Sequence, residues 1–345
     1  MITPAIVRAR VPLRLGLAGG GTDLSPYCDD YGGAVLNTTI DRYAYAFIEP
    51  AEDGRLHFVA PDLGIEEDFP PDLAALDTAR LQLHSGVMRR MLRQFASGHV
   101  TPIRLTSYVD APAGSGLGSS SALVVAMVEA FTNLLSLPLG PYDVAHLAFE
   151  IERLDLALAG GKQDQYAATF GGTNFIEFHA ADRVIVNPLR VAPWVLNELE
   201  TSMVICFTGV SRRSEEIIVQ QQRGMTDPGG AALEGLHQLK REALEMKDAL
   251  LRGQIARMAE VMNRSWLAKQ QTAPGISTGR IEALRELAFA SGAIGGKVSG
   301  AGGGGFMMFI VPPNRRFQVV RALNEAGGDA GGVHFTSQGA EAWTV

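Results

Sequence analysis

Three stretches of this sequence crowd glycine against residues able to handle charge. In PAGSGLGSS, residues 112–120, Gly114, Gly116 and Gly118 alternate with Ser115, Leu117 and Ser119; Ser120, Ser121 and a long apolar run follow at once. Glycine lets backbone N–H groups converge without side chains in the way and tolerates positive φ. The start of a helix adds four unpaired N–H groups and a partial positive charge. A glycine loop feeding a helix is therefore a phosphate cradle, with serine hydroxyls at hand to cap the helix or touch a phosphate or metal. The same residues also suit a plain strand-to-helix turn with a serine cap.

PLRLGLAGGGTD, residues 12–23, brings a strand with Arg14 into Gly19, Gly20 and Gly21, then Thr22 and Asp23. KVSGAGGGGFMM, residues 297–308, places Gly300, Gly302 and Gly303 before a buried strand. Alone, the first reads as a hairpin or bulge with a capping Asp, the second as close backbone packing. Common nucleotide signatures are absent. Gly161-Lys162 is followed by Gln163 and has no glycine five residues before it, so there is no Walker loop. Gly300, Gly302 and Gly305 spell G-x-G-x-x-G but precede a strand, the wrong context for a dinucleotide fold. The histidines at 57, 84, 99, 146, 179, 237 and 334 show no metal spacing.

The elements that must hold these loops are legible from periodicity. Tyr43, Tyr45 and Phe47 alternate with alanines, and 56–60 and 103–112 also read as strands. Helical spacing predicts helices over 81–97, Ser119 to Leu135, Tyr142 to Leu158, 231–252, 254–271 and 278–291. Residues 203–209 read as a buried strand, and a helix and strand close the chain. The mixture lacks a regular βαβ rhythm, so an α+β fold is expected. The length of 345 residues suggests two domains, 1–195 and 196–345, parted near the change of pattern after Pro188 and Pro193. A hydrophobic share of 46% and a charged share of 19% describe an ordinary globular chain. The net charge of −7 speaks against nucleic-acid binding through phosphates. Cys28 and Cys206 read as reduced thiols, and no apolar run is long enough for a membrane span. The expectation is a cytoplasmic protein, monomer or homodimer.

The three loops, in this order and at these separations, resemble the motifs of the GHMP small-molecule kinases, with GLGSSSA as the most specific part. The resemblance spans nearly the whole chain. It implies an N-terminal domain like a domain of ribosomal protein S5 and a ferredoxin-like C-terminal domain. ATP would lie between them, its phosphates on Gly114 to Ser121. LRLGLAGGGTDLSPY with YGGAVLNTTIDRYAYAFIEP further resembles the D-glycero-D-manno-heptose 7-phosphate kinases, which phosphorylate the C1 hydroxyl. Fucokinases and other sugar-1-kinases share part of this pattern.

Phosphoryl transfer needs positioning, a metal to draw charge from the phosphates, and often a base. By match to the galactokinase branch, Asp164 in AGGKQDQYAATFGG would be the base; as a plain residue it would cap a helix. The same match assigns Mg2+ to Glu152, with Glu150 nearby as a competitor, and to Ser120, with Ser121 as the alternative. Arg14 would favour ionised Asp164 and stabilise charge on the phosphoryl group. Gly20, Gly21, Thr22 and Asp23 would bind the sugar, or Asp23 would hold its own loop; Gly302 and Gly303 would complete the substrate site. A distal substrate phosphate needs a cation, for which Arg212, Arg213 and Lys162 are candidates. A kinase for fucose or a mevalonate-like acid is the competing enzyme reading. A sugar-binding regulator is the competing non-enzyme reading, against which the set Asp164, Glu152, Ser120 and Arg14 weighs.

Overall fold

The computed structural model describes residues 5–210 and 214–345. In chain order the first elements are β1 (Val7–Ala18), α1 (Tyr27–Tyr31), β2 (Gly33–Pro50), β3 (Leu56–Ala60), β4 (Ile65–Phe69), α2 (Gln82–Phe95) and β5 (Ile103–Val109). There follow α3 (Ser119–Leu134), α4 (Pro141–Glu150), α5 (Gln163–Phe170), β6 (Thr173–Phe178), β7 (Val184–Pro188) and α6 (Pro193–Ser202). The remainder comprises β8 (Met203–Phe207), α7 (Ser214–Gly224), α8 (Ala231–Leu251), α9 (Ile255–Gln270), α10 (Gly279–Ala290), β9 (Gly295–Val298), β10 (Phe306–Ile310), α11 (Arg316–Glu325), β11 (Asp329–Gly331) and β12 (Glu341–Thr344).

Among the described residues these strands build two sheets. The larger runs β12-β1-β2-β5-β3-β4, with β6 on the far half of β2 and β7 beyond it. Its spine is β2, which pairs antiparallel with β1 along its length, with β5 near its end and with β6 near its start. Residues 11–18 of β1 are buried without interruption, as a strand covered on both faces must be. The cover on one side is α3, whose Val124, Met127, Val128 and Phe131 share one core with Leu13, Leu15 and Ile40. The smaller sheet runs β11-β8-β10-β9, all antiparallel, the order of a ferredoxin-like sheet. The fold is α+β, as the sequence suggests.

Two departures from the sequence expectation bear on the site. The helix expected to run to Leu158 stops at Glu150 and opens into a wide turn over Ile151–Asp155, where Leu156 N–H reaches back to Ile151 O at 3.0 Å. Hydrogen bonds slipped by one residue do not disturb the apolar period, so periodicity overlooks them. The terminal strand β12 does not join the C-terminal sheet. It pairs with residues 7–10 of β1.

Candidate active site

The middle loop is held from both sides. Arg14 of β1 donates its backbone N–H to Leu117 O at 3.0 Å and its Nη1 to Gly116 O at 2.7 Å. From the third loop, Ser299 Oγ reaches the same Gly116 oxygen at 2.9 Å, and Phe306 N–H reaches Ser115 O at 2.8 Å. The backbones touch, and a Cβ on Gly116 would lie 2.4 Å from Ser299 O. Gly118 stands at the N-cap of α3 with φ 76° and makes no side-chain cap bond. The first turn of α3 therefore presents its amides unclaimed by a cap. Gly114, Gly116, Gly118, Ser119, Ser120 and Ser121 line a cavity of about 730 Å³. Ser115 and Leu117 point inward and are fully buried.

Three consecutive residues at the start of α5 each hold a different part of this cavity. Gln163 donates its backbone N–H to Asp23 Oδ2 at 3.0 Å and its Nε2 to Asp23 Oδ1 at 3.1 Å. Asp164 Oδ1 accepts from Arg14 Nε at 2.8 Å and pairs with its Nη2 at 2.6 Å. Arg14 is buried and Asp164 partly exposed to the cavity; a Cβ on Gly118 would stand 3.3 Å from Asp164 Cγ, so this pair abuts the start of α3. Gln165 donates Nε2 to Glu152 Oε2 and to Ser121 Oγ. Glu152, 1% exposed on the wide turn after α4, accepts from Ser120 Oγ at 3.1 Å. Glu150 faces elsewhere, pairing with Arg90 at 3.3 Å and His146 at 3.6 Å.

Two hard oxygens, Ser120 Oγ and Glu152 Oε1, thus meet beside the middle loop. They are the donor type and number that magnesium takes from a protein when substrate phosphates supply the rest. Among the described residues no group of three His, Cys, Asp or Glu forms a protein cage for a metal.

The first glycine loop divides. Gly21 and Asp23 line the cavity, while Thr22 is buried as the brace of the turn, donating Oγ1 to Gly19 O at 2.8 Å and accepting from Ala34 N–H at 3.0 Å. Gly20 lines a small adjoining cavity of about 20 Å³. In the third loop Gly300 and Ala301 line the main cavity, whereas Gly302 and Gly303 pack on Ile276. Lys162 is committed to Asp182 at 2.6 Å and lies off the cavity; Arg212 and Arg213 fall outside the described residues.

Several contributors carry no sequence signal. Lys269 of α9 lines the cavity and donates Nζ to Gly20 O at 3.0 Å. Burial pushes it down to about 8, with Asp23 pulling the other way. Lys297 of β9 donates to Gly16 O at 2.7 Å and Leu17 O at 3.3 Å, and burial with repulsion from Lys269 and Arg14 pushes it down to about 7. On paper Lys269 is an ordinary lysine on an amphipathic helix, and Lys297 opens the third glycine loop with nothing to tell that its ammonium reaches the first. Only the docking of the C-terminal half on the first loop buries them. For Gln163 and Gln165 the signal was their place on either side of Asp164.

Comparison with known proteins bears on this cavity directly. Residues 82–172 match the family model described as GHMP kinases N terminal domain, and residues 246–329 match GHMP kinases C terminal. The chain is 41% identical over 339 residues to D-glycero-alpha-D-manno-heptose 7-phosphate kinase of Campylobacter jejuni subsp. jejuni serotype O:2, covering 98% of this chain and 99% of that one. The crystal structure of a D-glycero-D-manno-heptose 1-phosphate kinase from Bacteroides thetaiotaomicron superposes with a TM-score of 0.84 at 42% identity, covering 98% of this chain and 99% of that chain. More distantly, L-fucokinase/L-fucose-1-P guanylyltransferase of Bacteroides fragilis is 25% identical over 93% of this chain and 36% of its own length. Likeness of this extent, running through every loop that builds the cavity, means that the chain belongs to the GHMP kinase family and is a phosphotransferase.

Proposed function

We propose that this kinase transfers the terminal phosphoryl group of ATP, with magnesium, to the anomeric C1 hydroxyl of D-glycero-D-manno-heptose 7-phosphate. The product would be the 1,7-bisphosphate, on the way to a nucleotide-activated heptose. The observation that carries the reading is the Asp164–Arg14 pair, set against the start of α3 where the middle loop presents its amides. The relatives named as heptose phosphate kinases supply the acceptor class.

In this reading the polyphosphate lies on Gly114 to Ser121. Both Arg14 bonds fall on Asp164 Oδ1, leaving Oδ2 for the acceptor hydroxyl. As the sugar oxygen bonds to the terminal phosphorus, its proton passes to Asp164, and the bridging bond to ADP breaks with its electrons leaving on ADP. Arg14 fixes the orientation of the carboxylate and offsets charge on the moving group. Ser120 and Glu152 would hold the magnesium ion, which when bound neutralises charge on the phosphates. Asp23, fixed by Gln163 and facing the cavity, is placed to accept from sugar hydroxyls.

A coupled ADP-release assay over a panel of sugars tests this. The expected result is turnover with the heptose 7-phosphate far above that with fucose or other bare sugars. Preferred turnover of fucose would reassign the acceptor, and no turnover with any sugar would favour a binding protein.

A further inference from the structure

Three cationic side chains line the cavity among the described residues: Arg14, Arg153 and Lys269. Two are spoken for. Arg14 is bound to Asp164 and Gly116 O. Arg153 bonds the carbonyls of Gly161 and Leu158 at 3.3 and 3.4 Å and lies 3.7 Å from Glu152. Lys269 has one acceptor, Gly20 O, for its three donors, and among the described residues no carboxylate stands within ion-pairing distance. Asp23, the acid nearest in the first loop, has its oxygens turned to Gly21 N–H and to Gln163. A buried ammonium without a counter-charge is costly, and the cost is met when an anion arrives. Its position decides which anion. Lys269 stands beside Gly21, where a Cβ would come within 3.1 Å of Nζ, and so belongs to the first-loop side of the cavity rather than to the ATP loop.

We infer that Lys269 receives the phosphate monoester that the acceptor carries away from its reacting hydroxyl, and so sets the preference for a sugar phosphate over a bare sugar. This rests on the acceptor class proposed above. Lys297 supplies the comparison within the same molecule. It is half-buried under the first loop and pins the carbonyls of Gly16 and Leu17, but it does not line the main cavity. Lys297 therefore acts on the loop alone, whereas Lys269 holds Gly20 O and also faces the cavity where the acceptor would lie.

The test is steady-state kinetics of wild type, Lys269→Met and Lys297→Met with D-glycero-D-manno-heptose 7-phosphate and with the unphosphorylated heptose. Lys269→Met keeps the stem and removes the charge. Its KM for the sugar phosphate should rise roughly 10- to 100-fold more than its KM for the bare sugar, the worth of a charge-assisted contact. Lys297→Met should shift both sugars alike. If Lys269→Met retains the wild-type ratio between the two sugars, the inference is overturned and Lys269 is only a brace. If the wild type itself shows no preference for the phosphorylated sugar, the acceptor reading fails and takes this inference with it; that failure is visible without any variant. Should Lys269→Met not fold, a crystal structure of the wild type with the sugar phosphate decides. A phosphate oxygen in hydrogen-bond reach of Lys269 Nζ supports the assignment, and a phosphate seated on other residues removes it.

Discussion

Asp164 meets Arg14 through one oxygen only, and this division of labour makes a sharp prediction at the scale of the residue. Asp164→Asn preserves shape and a hydrogen-bonding oxygen for Arg14 but cannot take a proton. We expect kcat to fall roughly 10²- to 10⁴-fold with ATP affinity nearly intact, measured by coupled assay and by calorimetric titration of ATP. Unchanged turnover would remove Asp164 from the reaction. Asp164, Arg14, Glu152 and Ser120, which meet at one cavity, could be named from the sequence because they lie at recognisable spacings from the glycine motifs. What the sequence left open was the choice between neighbours. Glu152 and Glu150 are equivalent on paper, and only the wide turn after α4 points one at Ser120 and the other at Arg90. The sequence also suggested Lys162 for a distal phosphate, since an isolated lysine after Gly161 shows nothing of Asp182, its partner across a turn in space.

At the scale of the element, the start of α3 depends on two loops distant in sequence being allowed to touch. Gly116 has φ 76°, and any Cβ there would strike Ser299 O. Gly116→Ala should cost at least about 1–2 kcal/mol from the left-handed backbone alone, with more from the contact. Thermal denaturation should show the loss, and KM for ATP should rise as the cradle shifts. A normal melting point with normal ATP kinetics would mean that the loops do not rely on this contact. A second helix shows its anchoring through pH. His84 of α2 is buried, bonded to Ser107 Oγ of β5 at 2.8 Å, and pushed down by burial to about 4. The folded protein keeps it neutral while the unfolded chain protonates near 6.5. Its contribution is thus complete above pH 6.5 and drains away as pH falls toward 4, by about 3 kcal/mol. Urea denaturation of wild type and His84→Gln across that range should show the wild type losing stability more steeply; parallel curves would contradict it. Helices and strands of this kind were legible because period reports which face is buried. It does not report the partner, so nothing in the sequence paired His84 with Ser107.

At the scale of the whole molecule, residues from the C-terminal half reach across to the loops of the N-terminal half. Lys269 and Lys297 grip the carbonyls of Gly20, Gly16 and Leu17, and Ser299 grips Gly116 O. The cavity therefore exists only when both halves are folded and docked, which is why composition and local pattern could name the loops but not the cations beneath them. The chain also returns at its end: β12 lies against residues 7–10 of β1, and Val345 N–H reaches Ile6 O at 2.9 Å. Without those four residues, the outermost N–H and C=O groups of β1 would face solvent as a template for another copy. Deleting residues 341–345 should therefore show itself in self-association: light scattering that climbs with protein concentration, ahead of any large fall in melting temperature. The short last strand would then serve as a guard on solubility, shielding the very strand that carries Arg14.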